Sequence, residues 1–262
     1  MDLQLQGKVA LVTGSTAGIG KAIATALAKE GARVIVNGRT QAAVDATLAQ
    51  LGAGGGKVEG FAGDLGTQAA AQALFARFPQ LDILVNNLGI FEPKPFEEIP
   101  DEDWRRFFDV NVLSGVRLAR LYLPAMRAKN WGRIIFISSE SGLQIPQEMV
   151  HYGVTKAAQI AAARGIAESV AGSAITVNSV LPGPTRSRGV ADFVDTLAQA
   201  GGKTADQIEA EFFEQVRPTS LIKRFATPEE VAAMVAYVAS PLAAATNGAA
   251  LRVDGGVVKS AY

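Results

Sequence analysis

Residues 9–20 read VALVTGSTAGIG and place a short apolar run directly before a glycine-rich turn. The run Val9–Val12 is rich in β-formers and predicts a buried strand. Beyond the glycines, Ile23 and Leu27 share one face of a predicted helix that Gly31 ends. Strand, glycine turn and helix in this order predict a phosphate site, because backbone can approach the anion and the helix N-terminus supplies free N–H groups. A purely structural glycine turn is the alternative interpretation.

Strands and helices alternate along the rest of the chain. Further strands are predicted at 33–36, 57–61, 81–85, 133–139, 175–180 and 249–253. Helices are predicted at 41–51 and 67–78, from 100, from 152 to about 171, and from 228, with Asp101 as a candidate N-cap. This alternation favours an α/β fold in three layers, a doubly wound parallel sheet (Rossmann fold) of about seven strands with helices on both faces. One domain covers residues 1–262, and residues 187–220 form a polar insertion that is a candidate substrate lid.

Composition excludes several classes of protein. The chain has 262 residues, 48% of them hydrophobic, and its 25 basic and 25 acidic side chains balance, which argues against nucleic-acid or acidic-membrane partners. The absence of cysteine and the single histidine exclude disulfides, thiolate metal sites and multi-histidine metal sites. No secretory segment and no apolar run long enough to span a bilayer are evident, so we expect a cytoplasmic protein.

Polar residues follow the predicted strands at the edge where doubly wound sheets bind ligands. Gly14, Arg39, Asp64 and Asn87 each follow a strand, which makes all four candidate cofactor contacts. An NAD site usually carries an acid roughly 20 residues after its glycines, on the ribose 2′-hydroxyl. Residues 37–40 read NGRT instead. A missing acid and an available arginine favour NADP(H) over NAD(H), because a guanidinium pairs with a 2′-phosphate. A solvated Arg39 at a helix start is the alternative.

A second group of residues suggests proton transfer. Tyr152 and Lys156 are four positions apart, so a helix would place them one turn apart on one face. The ammonium would lower the pKa of the phenol, whereas burial alone would raise it. Ser139 ends the fifth strand, thirteen positions earlier (152 − 139), and can converge on the same substrate oxygen. A solvated tyrosine–lysine pair is the alternative interpretation. The neighbouring Glu140 is expected to have a supporting or structural role, and His151 a pocket-lining or surface role.

These motifs together resemble a known family. In order they are TGxxxGIG at 13–20, Asp64, NNxG at 86–89, Asn111, Ser139, YxxxK at 152–156, Pro182-Gly183 and DGG at 254–256. Along nearly its whole length the chain resembles the short-chain dehydrogenase/reductase family. Within the compact branch it is most similar to 3-oxoacyl-carrier-protein reductases and bacterial carbonyl reductases.

The resemblance implies a role for each catalytic position. Tyr152 would be the general acid in ketone reduction and the base in alcohol oxidation. Lys156 would lower the pKa of Tyr152 and bind the nicotinamide ribose, and Ser139 would hold the substrate oxygen. Asn111 would anchor a water of a proton relay, although a mid-helix asparagine is otherwise usually exposed or locally bonded.

The resemblance also implies the ligand contacts. Asp64 would bind the adenine, Asn87 the adenosine ribose region and Thr185 the nicotinamide carboxamide. The full set of cofactor contacts is Gly14, Ser15, Thr16, Gly18, Ile19, Gly20, Arg39, Asp64, Leu65, Asn87, Gly89, Tyr152, Lys156, Pro182, Gly183 and Thr185. The substrate pocket would be lined by Phe91, Leu143, Gln144, Gln147 and Met149, together with the lid. The substrate is a small-molecule carbonyl or alcohol, and a β-ketoester, a steroid-like ketone, a sugar-derived ketone and an acyl thioester all stay open.

The chain departs from the family pattern at a few positions. Leu88 replaces the usual alanine of the NNAG motif, and Ala17 stands where many NADP-preferring members carry a basic residue. Asn130 and Ser173 stand where carrier-protein reductases present arginines, which disfavours a carrier-protein substrate. The family implies a homotetramer, or a homodimer, with helices at about 101–128 and 152–170 against their copies. An NAD-dependent alcohol dehydrogenase and a non-catalytic dinucleotide-binding sensor are the alternative functions.

Overall fold

The computed structural model of the chain describes residues 1–187 and 202–261. Its strands are β1 (Val9–Val12), β2 (Arg33–Gly38), β3 (Lys57–Ala62), β4 (Ile83–Asn86), β5 (Gly132–Ile137), β6 (Ile175–Pro182) and β7 (Ala250–Val253). They form one seven-stranded sheet in the order β3-β2-β1-β4-β5-β6-β7, and every pairing is parallel. The predicted sheet is therefore confirmed, strand number included.

Eight α-helices connect the described strands. They are α1 (Gly18–Lys29), α2 (Gln41–Ala53), α3 (Gln68–Arg77), α4 (Asp101–Phe107), α5 (Ser114–Ala128), α6 (Val150–Ser169), α7 (Ala205–Glu211) and α8 (Pro228–Ala239). A π-helical segment, Phe108–Leu113, joins α4 to α5. Among the described residues, no helix combines the length and the apolar character needed to cross a bilayer.

Two hydrophobic cores lie on opposite faces of the sheet because side chains alternate along each strand. On β1, Val12 packs with Ile23 of α1 and Val235 of α8, whereas Leu11 packs on the other face with Leu118 of α5. Central strands with both faces covered are typical of parallel sheets. The result is the predicted three-layer architecture.

The order of the strands places a crevice at the end of β1. The chain moves outward from β1 to β2 and β3, then returns to β4 on the other side of β1. The connections after β1 and β4 therefore leave in opposite directions and open a gap between them. Ligands bind at such switch points, beside the carboxyl ends of the strands.

Two local expectations need correction, and part of a third lies outside the described residues. The N-cap of α4 is Pro100, and Asp101 is the first helical residue, where its carboxylate pairs with Arg105 at 3.2 Å. Helix α6 begins at Val150, two residues before Tyr152 (152 − 150), because a short 3-10 turn leads directly into it. Residues 188–201 of the candidate lid lie outside the described residues.

Candidate active site

The glycine turn after β1 forms a backbone cradle. Gly14 and Gly18 have positive φ angles of 60° and 53°, and a Cβ at Gly20 would clash with the carbonyl of Gly14. The following helix, α1, has Ala17 as its N-cap, with no side-chain cap and no acid in its first turn. Uncapped N–H groups at the positive end of a helix dipole suit an anion, so the cradle fits the phosphates of a dinucleotide.

Two asparagines hold this turn in place. Asn37 Oδ1 accepts a hydrogen bond from the Gly14 amide at 3.0 Å, and Asn37 Nδ2 donates to the carbonyls of Phe61 and Gly63, both at 3.1 Å. Asn87 Nδ2 donates to the Gly14 carbonyl at 3.1 Å. Sequence analysis treated Asn37 only as the residue replacing an acid. In the structure it joins β1, β2 and the end of β3.

Two predicted cofactor contacts have side chains that face away from the crevice. Ser15 is wholly buried, and its hydroxyl donates to the Val12 carbonyl at 2.7 Å and accepts from the Asn37 amide at 2.9 Å. Leu65 is buried in the core beside Ile35. Both side chains are thus engaged inside the protein, so the cofactor contacts predicted at Ser15 and Leu65 stay predictions for their backbone atoms.

The end of β2 presents a cation. Arg39 is exposed, and no hydrogen bond or ion pair engages it within residues 1–187 and 202–261. Gly38, just before it, lies so close to Thr16 that a Cβ there would clash with the threonine methyl. Asp64, at the end of β3, is exposed and accepts from the Gly66 amide at 3.0 Å. Arg39 therefore fits a 2′-phosphate, and no carboxylate stands at the end of β2 to repel it.

At two more glycines around the crevice, neighbouring residues lie close to the backbone, where a side chain would leave little room. A Cβ at Gly89 would lie 3.4 Å from Lys156 Nζ and 3.5 Å from Asn111 Oδ1. A Cβ at Gly183 would lie 2.6 Å from the Asp254 carbonyl oxygen. The Pro182-Gly183 and Asp254 motifs are thus in mutual contact, and Thr185 Oγ1 donates to the Gly183 carbonyl at 2.9 Å.

A cavity of about 560 Å³ lies at this edge of the sheet, within the range of ligand sites. From the sheet side it is lined by Ile19, Asn87, Gly89, Ser139, Glu140, Tyr152, Lys156, Pro182, Gly183 and Thr185. From α7 and the segment after it, it is lined by Ile208, Phe212, Val216 and Arg217, with Phe225 beside them. The structure therefore brings predicted cofactor and catalytic residues to one cavity.

Contacts between β5 and α6 fix the positions of the predicted catalytic residues. Ser138 Oγ donates to the backbone carbonyl of Lys156 at 2.8 Å, which ties the end of β5 to α6. Lys156 Nζ lies 5.6 Å from the centre of the Tyr152 ring, and the Phe91 ring packs edge-on against Tyr152 at 6.3 Å. Ser139 lies beyond the last residue of β5 and is buried beside the cavity.

Burial determines the direction of both catalytic pKa shifts. Desolvation, with a smaller contribution from the Glu140 carboxylate, raises the pKa of Tyr152 above its ordinary value, while Ser139 and Arg217 act in the opposite direction. Desolvation lowers the pKa of Lys156 to about 8, opposed by Glu140. The lowering of the Tyr152 pKa expected from Lys156 is therefore not found: burial raises this pKa, and the groups that act against burial are Ser139 and Arg217.

Asn111 is buried within the π-helical segment, contrary to the exposed position usual in mid-helix. Its Oδ1 accepts from the Ile90 amide at 2.7 Å, and its Nδ2 donates to Thr155 Oγ1 at 2.9 Å. Its backbone carbonyl accepts from Gln159 Nε2 at 2.6 Å, and Gln159 Oε1 accepts from Lys156 Nζ at 3.1 Å. Sequence analysis missed Gln159, although its position one turn after Lys156 was the available signal.

The predicted substrate contacts divide into two groups. Phe91 and Met149 line the cavity, whereas Leu143, Gln144 and Gln147 are exposed and are not among its lining residues. The 3-10 turn Glu140–Gly142 redirects the chain immediately after Ser139 and is followed by the exposed Leu143 and Gln144, whereas Gln147 begins a second 3-10 turn, Gln147–Met149.

Charged residues occupy the substrate side of the cavity instead. Glu140, Glu148 and Arg217 all line it. A supporting role was expected for Glu140, and Arg217 belongs to the candidate lid at 187–220, whereas Glu148 had no predicted role. No local pattern linked Arg217 to Ser139.

His151 neither lines the cavity nor reaches the surface. It is wholly buried, with its ring 4.0 Å from that of Phe107 and 6.1 Å from that of Trp104. Burial lowers the pKa of His151, so the ring is kept neutral in an aromatic environment. The expected pocket-lining or surface role is wrong because α6 turns this side chain towards α4.

Comparison with known proteins places the chain in a family. The family model for short chain dehydrogenases matches residues 8–198. YvaG, an uncharacterized oxidoreductase of Bacillus subtilis, is 50% identical over 100% of both chains, and the D-beta-hydroxybutyrate dehydrogenase of Cupriavidus necator is 36% identical over 97% of this chain and 99% of its own. The L-sorbose reductase of Gluconobacter frateurii, solved with NADPH and L-sorbose, superposes with a TM-score of 0.94 at 33% identity, over 99% of this chain and 100% of its own. The parallel sheet, the Ser-Tyr-Lys cavity and these matches agree, and the chain belongs to the short-chain dehydrogenase family.

Proposed function

We propose that the protein is an NADP(H)-dependent oxidoreductase that acts on a ketone or secondary alcohol, with Tyr152 as general acid and base. One observation carries the proposal: Ser139, Tyr152 and Lys156 line a single cavity beside the uncapped N-terminus of α1. When bound, the dinucleotide supplies or accepts the hydride. The protein contributes positioning, exclusion of water and control of one proton.

Tyr152 is suited to donate that proton. Its pKa lies above the ordinary value, so the phenol is protonated at neutral pH and can deliver its proton to a carbonyl oxygen as the alcohol forms. Ser139 steadies the same oxygen. Lys156 lies below the phenol ring and is held by Gln159 and the Ile137 carbonyl, at 3.1 and 3.0 Å. We propose that it holds the nicotinamide ribose, as in the family pattern.

Arg39 supports NADP(H) as the cofactor, because it lies where a 2′-phosphate would lie and no ion pair engages it within residues 1–187 and 202–261. The NADPH complex of the related L-sorbose reductase agrees with this preference. An NAD-dependent alcohol dehydrogenase is the second candidate function. It is favoured by Ala17, which leaves the glycine turn without the second cation that many NADP-preferring members carry.

The names of two related proteins give substrates that differ in charge. The name of the Cupriavidus relative gives an anionic substrate, D-beta-hydroxybutyrate, whereas that of the Gluconobacter structure gives a neutral one, L-sorbose. Both are secondary alcohol–ketone pairs, which is the chemistry that the cavity supports. A small-molecule substrate and a cytoplasmic location complete the proposal.

The test is a pair of tyrosine variants. Tyr152→Phe should lower kcat for ketone reduction by about 10²- to 10⁴-fold, the usual contribution of a general acid. NADPH affinity, measured by fluorescence titration, should change by less than about threefold, since the ring is kept. Tyr122→Phe is the matched control, because Tyr122 is wholly buried in the core and its hydroxyl has no hydrogen-bond partner within the described residues. A Tyr152→Phe enzyme that kept most of its kcat would contradict the mechanism.

We further propose a homotetramer, or a homodimer, formed through the α4–α5 face. Phe108 and Leu113 lie on this face and are 37% and 41% exposed, which leaves apolar area uncovered in the single chain. Light scattering at micromolar concentration measures the assembly directly. A monomer under those conditions would contradict the proposal.

A further inference from the structure

Glu140 is a buried carboxylate on the substrate side of the cavity. Its side chain is 6% exposed, and it follows Ser139 in the turn after β5. Ser139 Oγ donates a hydrogen bond to Glu140 Oε2 at 2.5 Å. In this arrangement the Ser139 proton is directed to Glu140 and away from a substrate oxygen. The proposed mechanism uses Ser139 but gives Glu140 no part.

Arg217 connects this carboxylate to a second one. Its Nε lies 3.4 Å from Glu140 Oε1, and its Nη1 lies 3.2 Å from Glu148 Oε1. Nη1 also donates to the Val216 carbonyl at 2.9 Å, and the side chain is only 12% exposed. The guanidinium is thus held between two carboxylates and its own backbone.

The charge balance of this trio decides which substrates it can accept. One guanidinium stands between two carboxylates, and Glu211 also lines the cavity, so the lining carboxylates outnumber the two lining cations, Arg217 and Lys156. An anionic substrate would have to compete with both carboxylates for Arg217 and would meet like-charge repulsion in a partly desolvated site. A neutral substrate meets neither obstacle.

Hydroxyl groups suit this environment. An ionised carboxylate only accepts hydrogen bonds, and hydrogen bonds to charged groups are the stronger ones. A substrate hydroxyl close to the carbonyl can donate to Glu140 in place of Ser139. The Ser139 proton is then released towards the substrate carbonyl oxygen, where the proposed mechanism needs it.

We propose that the substrate is an uncharged hydroxyketone, such as a ketose, and that Glu140 accepts a hydrogen bond from a hydroxyl beside its carbonyl. Arg217, which contacts Glu140, acts as the positioning residue that orients it, and Glu148 adds a second negative charge that disfavours carboxylate substrates. This inference rests on the proposed function and names the substrate class of the same site.

Two matched substrate pairs test the inference in the wild-type enzyme with NADPH. L-Sorbose and 5-keto-D-gluconate share a carbon skeleton and differ in a terminal hydroxymethyl or carboxylate group. 3-Hydroxy-2-butanone and 2-butanone differ in one hydroxyl beside the carbonyl. We expect kcat/KM to be at least tenfold higher for the neutral member of the first pair and for the hydroxylated member of the second.

A pair of variants assigns the preference to Glu140. Glu140→Gln keeps the shape of the side chain and removes its charge. The ratio of kcat/KM between 3-hydroxy-2-butanone and 2-butanone should therefore fall at least fivefold. The kcat/KM for 5-keto-D-gluconate should rise relative to that for L-sorbose. Glu148→Gln is the control, because it touches Arg217 but not Ser139, and it should retain the hydroxyl preference. Thermal unfolding checks that both variants are folded.

The outcomes separate this inference from the proposed function. Reduction of 5-keto-D-gluconate in preference to L-sorbose, or of both butanones equally well, would leave the oxidoreductase assignment intact and overturn the inference. An unchanged hydroxyl preference in folded Glu140→Gln would also overturn it. If none of the four ketones were reduced with NADPH or NADH, the proposed function and the inference would both fail.

Discussion

Gln159 lies one turn beyond Lys156 on α6, and its side-chain carbonyl accepts a hydrogen bond from Lys156 Nζ at 3.1 Å. Its amide nitrogen donates to the backbone carbonyl of Asn111 at 2.6 Å. The relay water expected at Asn111 stays a prediction, and one lone pair of the Asn111 carbonyl is engaged by Gln159. Gln159 therefore positions the ammonium, because an amide oxygen favours the charged form of a buried lysine.

Gln159→Leu should move the pH profile of the enzyme. Without this acceptor the charged form of Lys156 loses one stabilising hydrogen bond, so the pKa of Lys156 should fall below its present value of about 8. We expect the basic limb of kcat/KM against pH to move about 1 unit lower, since a hydrogen bond to a charged group contributes about 1.5 kcal/mol or more.

Gln159→Glu is the matched comparison for that experiment. A carboxylate beside the ammonium raises the lysine pKa, so the basic limb should move to higher pH. A profile that stays in place in both variants, or moves in the same direction in both, would show that Gln159 acts only in packing.

Arg39→Ala should weaken NADPH binding and leave NADH binding nearly unchanged. Loss of a charge-assisted contact to a phosphate costs about 1.5 to 3 kcal/mol, which corresponds to roughly 10- to 150-fold in Kd. Fluorescence titration of both cofactors measures the effect. Arg33→Ala is the control, because Arg33 begins β2 at the opposite end of the strand and pairs with Glu59. Equal or tighter binding of NADH by the wild-type protein would instead support the NAD-dependent alternative.

Lys156 should make the unfolding free energy depend on pH. The folded protein holds its pKa at about 8, below the ordinary 10.5, so between these values the unfolded chain binds a proton that the folded chain does not. Stability therefore rises with pH across this window, by about 3 kcal/mol, since one pKa unit is about 1.4 kcal/mol. Urea unfolding of wild type and Lys156→Met at pH 7.5 and 10 measures this effect. From pH 7.5 to pH 10 the unfolding free energy of the wild type should rise relative to that of the variant.

An exposed lysine provides the control for that measurement. Lys57→Met, at the start of β3, removes an exposed ammonium and controls for the loss of a lysine charge in itself. If the difference in unfolding free energy between wild type and Lys156→Met were the same at pH 7.5 and 10, the pKa of Lys156 would not be lowered in the folded protein.

Asn37→Asp should destabilise the fold and should not create an NAD site. Asn37 Nδ2 donates to the carbonyls of Phe61 and Gly63, and a carboxylate there would face two acceptors while buried. We expect a loss of about 2 to 4 kcal/mol in unfolding free energy, from two unsatisfied acceptors and a buried charge. Denaturant unfolding measures this loss. A stable Asn37→Asp protein with a gain in NADH affinity would show that the side chain can turn outward.

The order of the elements could be predicted because its signals are local. The strand, glycine turn and helix of residues 9–31 can be recognised within one short segment. The apolar pattern of each later strand is equally local. Right-handed crossovers then leave few ways to arrange such elements, and they bring Gly14, Ser139 and Tyr152 to one edge of a parallel sheet. The sequence by itself therefore determined the fold class and the edge of the sheet at which the predicted site residues lie.

The direction of individual side chains was decided by packing. Ser15 and Leu65 follow strands at the correct edge, yet strand-end hydrogen bonds and the core turn both inward. Leu143 follows Ser139 closely in sequence, but a 3-10 turn carries it to the surface. In a loop, a shift by one residue changes the direction in which a side chain points, and no local sequence pattern determines that direction.

Contacts between distant segments were beyond any local pattern. Arg217 reaches Glu140 across 77 positions, and Gln159 reaches Asn111 across 48. Their meeting depends on how α6 and the segment after α7 pack against the carboxyl edge of the sheet. The sequence alone determined the chemistry available at the site, whereas the tertiary structure decided which charges face the substrate, because only packing brings such remote side chains together.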